Sequence, residues 1–285
     1  MVNTLTFGDP HIEDRALEEL DLIFTEICSY DAGRLIMLGD YFHKSKYTHT
    51  ELLFGLKWAI KFRDKYKDVI FLTGNGAHER IKGNNVVEIF QHVGIKVVND
   101  FIDENNNYYG HFMVDHSKLA FGHYSKTTVE MRKYNWVFLG HEHIYEHFDN
   151  IIQLGSVRFV SYQETFIPVK YISILTDKEF MSIPLRTTVP MVDVYSVSDL
   201  PNYDKNTKIR IIYNNFAKFK SELSEFNEQK TNFKELVYKC DFKNNRPEVK
   251  QNKNLDLKPR LIEWTKKEDK DEEVKELVLS KIEKV

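Results

Sequence analysis

Five times in this chain a strand-like apolar run ends in a glycine followed at once by a side chain that can hold a metal ion: Gly8-Asp9, Gly39-Asp40, Gly74-Asn75, Gly122-His123 and Gly140-His141. Two of these continue to a histidine at i+2, in Asp9-Pro10-His11 and His141-Glu142-His143. On an extended segment, residues i and i+2 point the same way, so each pair can reach a single site. Glycine lets the backbone turn sharply and approach that site without a Cβ. The seven donors are two carboxylates, one amide oxygen and four imidazoles, with no thiolate. Such a hard-to-borderline oxygen and nitrogen set suits manganese, iron or zinc. It also exceeds what one catalytic ion with an open position needs, so the pattern predicts two ions, with Asp40 as the natural bridge. Two ions about 3.5–4 Å apart can hold a hydroxide and clamp both oxygens of an in-line phosphoryl displacement. A lone Asp-x-His is ordinarily a surface loop; five such sites in one structural context are not independent accidents.

The elements that must position these groups are legible in the apolar pattern. Runs at 3–7, 35–38, 69–73, 118–121 and 136–139 are short, rich in β-formers and closed by glycine, which reads as buried strands. Residues 14–29 place Leu17, Leu20, Ile23, Phe24 and Ile27 at helical spacing, and 50–67 do the same with Leu52, Leu53, Leu56, Trp58, Ile60 and Phe62. This β-α-β-α-β order predicts an α/β layered domain, in which ligands gather at the carboxyl ends of the strands. The polar stretch 99–107 predicts a turn between strands. Residues 151–154, 158–162, 171–175 and 179–183 read as successive strands that suit a second sheet stacked on the first. After a boundary at 184–190, residues 191–241 read as a smaller α+β module with a strand at 208–213, a helix at 216–228 and a strand at 235–239. An asparagine-rich linker at 243–253 precedes two amphipathic helix candidates, 259–267 and 272–284.

Composition bounds the function classes. Among 285 residues, 40 Lys and Arg stand against 43 Asp and Glu, a formal net charge of −3, which excludes a strongly basic nucleic-acid coat as a whole-chain description. A hydrophobic fraction of 42% supports a sizeable core. No apolar run approaches the roughly 18 residues of a membrane-spanning helix, and the first residues carry no signal-peptide pattern. Two distant cysteines, Cys28 and Cys240, point to a reducing compartment, so a cytoplasmic location is expected (the host cytoplasm for a viral chain).

The series of strand-end motifs resembles the calcineurin-like metallophosphoesterases. The nearer likeness is to the SbcD and MRE-eleven double-strand-break repair nucleases. Leu38-Gly39-Asp40-Tyr41-Phe42-His43 resembles that family's Gly-Asp-Leu-Phe-His signature. Leu154-Gly155-Ser156 with Ser161-Tyr162-Gln163-Glu164 resembles its Gly-Ser-Pro…Ser-Phe-x-Glu segment. The resemblance implies a four-layer α-β-β-α sandwich over 1–188, a small α+β capping domain over 189–242, the linker, and a helical tail over 254–285 that binds an SMC-type ATPase resembling SbcC. It further implies two divalent ions, manganese above all. Asp9, His11, Asp40 and His143 would hold one; Asp40, Asn75, His123 and His141 would hold the other. His43 would contact the substrate phosphate. The family forms homodimers through helices beside the active-site loops, for which 50–67 and 86–92 are the counterparts here. The compact length suits a phage version of such a subunit.

One departure stands out. The family reads Gly-Asn-His-Asp, whereas this chain reads Gly74-Asn75-Gly76-Ala77-His78-Glu79. If the loop bulges, His78 still reaches the scissile phosphate as a general acid; if it does not, acid catalysis is weakened by about 10²–10⁴-fold. Lys44, Lys46, Arg80, Lys82 and Lys126 lie near the motif loops and could line a groove for a DNA backbone. The reading is thus a DNA exonuclease or endonuclease subunit. Its rivals are a phosphatase or phosphodiesterase on another substrate, and a catalytically weakened scaffold.

Overall fold

In the computed structural model, which describes residues 2–81, 84–116, 125–165, 169–177 and 179–241, the first three apolar runs form strands Thr4–Phe7, Arg34–Met37 and Asp68–Leu72. They pair in parallel, in that order, and Lys96–Val98 extends the sheet beyond them. Helices Leu17–Ser29 and His49–Lys65 make the crossovers. The second starts at a capping box: Thr48 accepts from the Glu51 N–H while the Glu51 carboxylate accepts from the Thr48 N–H, so two otherwise unpaired donors are satisfied.

The period of two along these strands divides the core. Leu35, Met37, Val69 and Phe71 face the helices with Phe24, Trp58 and Phe62. Ile36, Leu38, Ile70 and Leu72 face the other way and meet Tyr109, Phe138, Ile152 and Leu154 of a second sheet. That sheet is built from Phe101–Ile102, Tyr108–His111, Val137–Gly140, Glu146–Phe148 and Ile151–Gln153. Its outer face packs Tyr108, Val137 and Leu139 on Met131 of the short helix Thr128–Met131. The layers are therefore helix, sheet, sheet, helix, an α/β sandwich.

Two expectations about the later strands are corrected. Tyr171–Leu175 and Phe180–Pro184 do not join the second sheet; they close the first, Tyr171–Leu175 pairing antiparallel with Thr4–Phe7 and Phe180–Pro184 antiparallel with Tyr171–Leu175, where Ile172 and Ile174 extend the helix-side core. Residues 158–162 do not form a strand. The Arg158 guanidinium is buried against the carbonyls of Pro10 and His11 and the Glu13 carboxylate, and the chain then turns into the 3-10 helix Tyr162–Glu164. The ladder is abandoned to satisfy that buried cation.

Strands Met191–Val194, Lys208–Tyr213 and Glu235–Cys240 make a third, all-parallel sheet, with helix Phe216–Gln229 in its second crossover. Lys208 reaches Glu19 at 2.6 Å, so the small sheet is tied to helix Leu17–Ser29. The described residues within 2–241 form one compact unit; the expected linker and tail helices lie outside the described residues. Among the described residues, no helix is long and apolar enough to cross a membrane.

Candidate metal centre

The carboxyl ends of the parallel strands converge with those of the second sheet. Asp9 follows Thr4–Phe7, Asp40 follows Arg34–Met37, Asn75 follows Asp68–Leu72, and His141 and His143 follow Val137–Gly140. The expected convergence on one crevice therefore draws on two sheets rather than one. Asp9, His11, Asp40 and His141 each adopt a left-handed backbone, at φ 45°, 47°, 47° and 88°. Such conformations cost of order 1–3 kcal/mol for non-glycine residues and concentrate where function maintains them.

Asp9 and Asp40 are buried, as is His11. Asp40 Oδ1 accepts the Asn75 N–H at 2.6 Å. The Asn75 amide lies 3.3 Å from Asp40 Oδ2 and 2.5 Å from His141 Nδ1. Asp9 Oδ2 accepts the His141 N–H at 2.9 Å, which ties the first strand end to the last. His11 Nε2 and His143 Nε2 face each other at 2.8 Å; two imidazole nitrogens at that distance must share a proton or a cation. Gly74 shows why its loop needs glycine: a Cβ there would sit 2.1 Å from Asp40 Oδ1.

His111 was not foreseen. It ends strand Tyr108–His111, opposite Gly140 in the parallel register. Its Nδ1 donates to the Leu38 carbonyl at 2.5 Å, which directs Nε2 to within 3.4 Å of Asp40 Oδ2. The signal was available, since Gly110-His111 repeats the glycine-ligand pattern at the end of an aromatic strand. His123, expected in this role, lies outside the described residues.

The charge pattern follows from burial. Burial raises the Asp9 carboxyl, and Asp40 beside it adds to the effect. Burial also pushes Asp40 upward, but His111, His78 and the Asn75 N–H outweigh it and hold this carboxyl below its usual range. His141 is lowered to about 4 by burial and the neighbouring His111, and His11 is lowered by burial and three surrounding histidines. Asp9 Oδ1, His11 Nδ1 and His43 Nδ1 are buried without a hydrogen-bond partner among the described residues, although Asp9 Oδ1 lies 3.3 Å from His111 Nδ1. Unsatisfied acceptors of this kind are what a cation would pair. Donor atoms of Asp40, His111 and His141 lie within 4.8 Å of one another, as do those of His11, His43 and His78. The residues present thus fit divalent metal.

The inserted Gly76-Ala77 winds into a single turn, Gly76–Glu79, started by the Asn75 carbonyl, which accepts from the N–H groups of His78 and Glu79 at 3.0 Å. The turn carries His78 back over the site. Its ring centroid is 4.8 Å from that of His11, its Nδ1 donates to the His43 carbonyl at 2.5 Å, and its Nε2 is 3.8 Å from Asp40 Oδ2. Glu79 then clamps two loops, accepting the Tyr41 N–H at 2.7 Å and the Gly74 N–H at 2.5 Å. His43 sits at the rim, its ring 5.6 Å from that of His11 and its Nε2 4.0 Å from Glu13.

The basic residues expected along a DNA path separate. Lys44 and Lys46 line a hollow of about 260 Å³ with His43 and Arg15. Lys126 instead donates to the Tyr108 hydroxyl at 3.0 Å and lies over the Tyr108 and Phe112 rings, on the outer face of the second sheet. Arg80 begins the two-residue strand Arg80–Ile81, and Lys82 lies outside the described residues.

No family model matches the chain, and no curated protein does. Among solved structures, it is similar to a single mutant of Vps29 from Entamoeba histolytica, at 14% identity and a TM-score of 0.36, over 65% of this chain and 99% of that one. It is likewise similar to Vps29 from Chaetomium thermophilum, at 12% identity and a TM-score of 0.35, over 65% of this chain and 97% of that one.

Proposed function

We propose that this chain is a two-metal phosphodiesterase that acts on DNA as the nuclease subunit of an SMC-type ATPase complex. The observation that carries the hydrolytic reading is the convergence of Asp9, His11, Asp40, Asn75, His111, His141 and His143 from five strand ends, four of them in left-handed backbone. Asp9, His11, Asp40 and His143 would hold one ion, and Asp40, Asn75, His111 and His141 the other. Bound there, the ions would supply Lewis acidity and an activated water to an in-line displacement at phosphorus.

The chain's own residues do the rest. With its Nδ1–H committed to the His43 carbonyl, His78 has Nε2 to carry the proton given to the leaving oxygen. His43, beside His11 and next to Lys44 and Lys46, would meet the non-bridging phosphate oxygens. The return of His78 to the crevice favours catalysis over a scaffold that has lost it. The DNA substrate, the ATPase partner and the homodimer rest on the resemblance of the Asp40–His43 and Ser161–Glu164 segments. The tail 254–285 would carry the ATPase contact, through an amphipathic helix laid in a groove.

The test is direct. Chelated protein reloaded with manganese should cleave linear DNA and bis-p-nitrophenyl phosphate and leave p-nitrophenyl phosphate nearly untouched. Cleavage of the monoester alone would replace the nuclease with a phosphatase. Metal binding without turnover on any of the three would replace it with a scaffold.

A further inference from the structure

We infer that Glu164 is the positioning residue for His143, and that the small parallel sheet braces the turn that carries it. The inference rests on His143 being a metal ligand, as proposed above. His143 has two ring nitrogens, and only one faces the crevice. Nδ1 faces the other way, 3.1 Å from Glu164 Oε1. A carboxylate can only accept, so Nδ1 carries the hydrogen and the lone pair is left on Nε2, the atom that meets His11 Nε2 at 2.8 Å. The ring is thereby presented in the one tautomer that can ligate from Nε2.

Glu164 is itself held from every side. Oε1 also accepts the N–H groups of Val160 and Ser161 at 3.2 and 2.9 Å. Oε2 accepts from Ser156 Oγ at 3.2 Å and from the Lys170 ammonium. Lys170 spends its remaining hydrogens on the His143 carbonyl at 2.9 Å and on Ser156 Oγ at 3.1 Å. The side chains of both members of the pair are 3% exposed, and the network leaves neither charge unmatched. Both the ring and the main chain of His143 are therefore gripped by one buried ion pair.

The turn's far side faces the small sheet. Thr165 Oγ1 donates to Asp193 Oδ2 at 3.1 Å, the Arg210 guanidinium donates to the Tyr162 carbonyl at 3.3 Å, and the Tyr162 hydroxyl donates to Glu235 at 3.0 Å. Arg210 and Asp193 are in turn paired by two contacts of 2.8 and 2.7 Å. Strands Met191–Val194, Lys208–Tyr213 and Glu235–Cys240 thus each send one side chain to the segment that orients a metal ligand. A carboxylate behind a ligating histidine typically changes metal affinity by about 10–100-fold when removed.

The test uses the full chain. Manganese affinity is measured by titration calorimetry in the wild type, in Glu164→Gln, and in the double variant Glu164→Leu with Lys170→Met. The double variant removes both buried charges together and avoids stranding either one. Nitrogen-15 NMR of His143 is recorded on each before any metal is added. The expected result is an affinity loss of about 10–100-fold in both variants, with His143 passing from a single Nδ1–H tautomer to a mixture. A folded variant that binds manganese as the wild type does, with the His143 tautomer unchanged, overturns the inference and leaves the metal centre standing. A wild type that binds no divalent metal removes the metal centre itself, and the inference with it.

Discussion

The helix-facing core and the crevice at the strand ends share strands but follow opposite rules. Leu35, Met37, Val69 and Phe71 meet Phe24, Trp58 and Phe62, all buried and all apolar, and the rings pack at centroid distances of 5.3–5.7 Å. A few residues further along the same strands, two carboxylates face a ring of imidazoles, four backbones are left-handed and several buried polar atoms go without hydrogen bonds among the described residues. The core minimises free energy locally. The crevice retains strained backbones and buried polar atoms that a bound ion would pair, so one region holds the fold while the other depends on it.

The sharpest way to break this contrast is Asp40→Asn, which keeps an acceptor for the Asn75 N–H but removes the charge proposed to bridge the ions. Manganese binding by calorimetry and cleavage of bis-p-nitrophenyl phosphate should both disappear, and the metal-free protein should melt lower, because His111 and His78 lose the carboxylate that holds them. Next comes His78→Ala, expected to lower turnover by about 10²–10⁴-fold, or about 2.7–5.5 kcal/mol of activation free energy, while the metal content measured by mass spectrometry stays at the wild-type level. Phe62→Ala acts on the other region: it should lower stability in urea by about 3–5 kcal/mol and leave metal affinity of the folded fraction as it was. The smallest effect, and the most telling in sign, belongs to Asp9→Asn. Asp9 Oδ1 has no hydrogen-bond partner among the described residues, only the His111 ring at 3.3 Å, and burial raises the folded carboxyl above its unfolded value. As pH rises past the unfolded value, the ionised form therefore costs stability. In metal-free protein at neutral pH, Asp9→Asn should raise stability by about 1 kcal/mol, seen as about 2–4 °C in Tm, while abolishing manganese binding. A fall in Tm would mean that the crevice is no more strained than the core.

Most of this contrast could be read from residue order, because glycine and ligand alternate with apolar runs whose period is two. The helices at 17–29 and 49–65 were equally legible from spacing, and so was the small module's strand-helix-strand series. Three features were not. His111 follows a run of Asn and Tyr that lacks the aliphatic character of the other strands, so its glycine-ligand pair carries no strand signal in front of it. The pairing of Tyr171–Leu175 with Thr4–Phe7 joins residues about 170 positions apart, and no local pattern encodes such a partner. The Arg158 segment is rich in β-formers, with Phe159, Val160 and Tyr162, yet the demand of one buried guanidinium for carbonyl oxygens outweighs its β-propensity.

The clamp formed by Glu79 has a consequence for how this loop can change over evolutionary time. Asn75 is fixed at one end by Asp40, and Glu79 is fixed at the other by the N–H groups of Gly74 and Tyr41. Whatever chain lies between those two anchors is a closed excursion. Residues can be gained or lost there without shifting either anchor, provided that the excursion returns a histidine to the crevice. Insertion of a small residue beside Gly76 is thus a change of loop length uncoupled from the positions of Asp40 and Asn75, and the segment is a place where His78, the proposed proton donor, can be re-aimed while the proposed ligands stay in register.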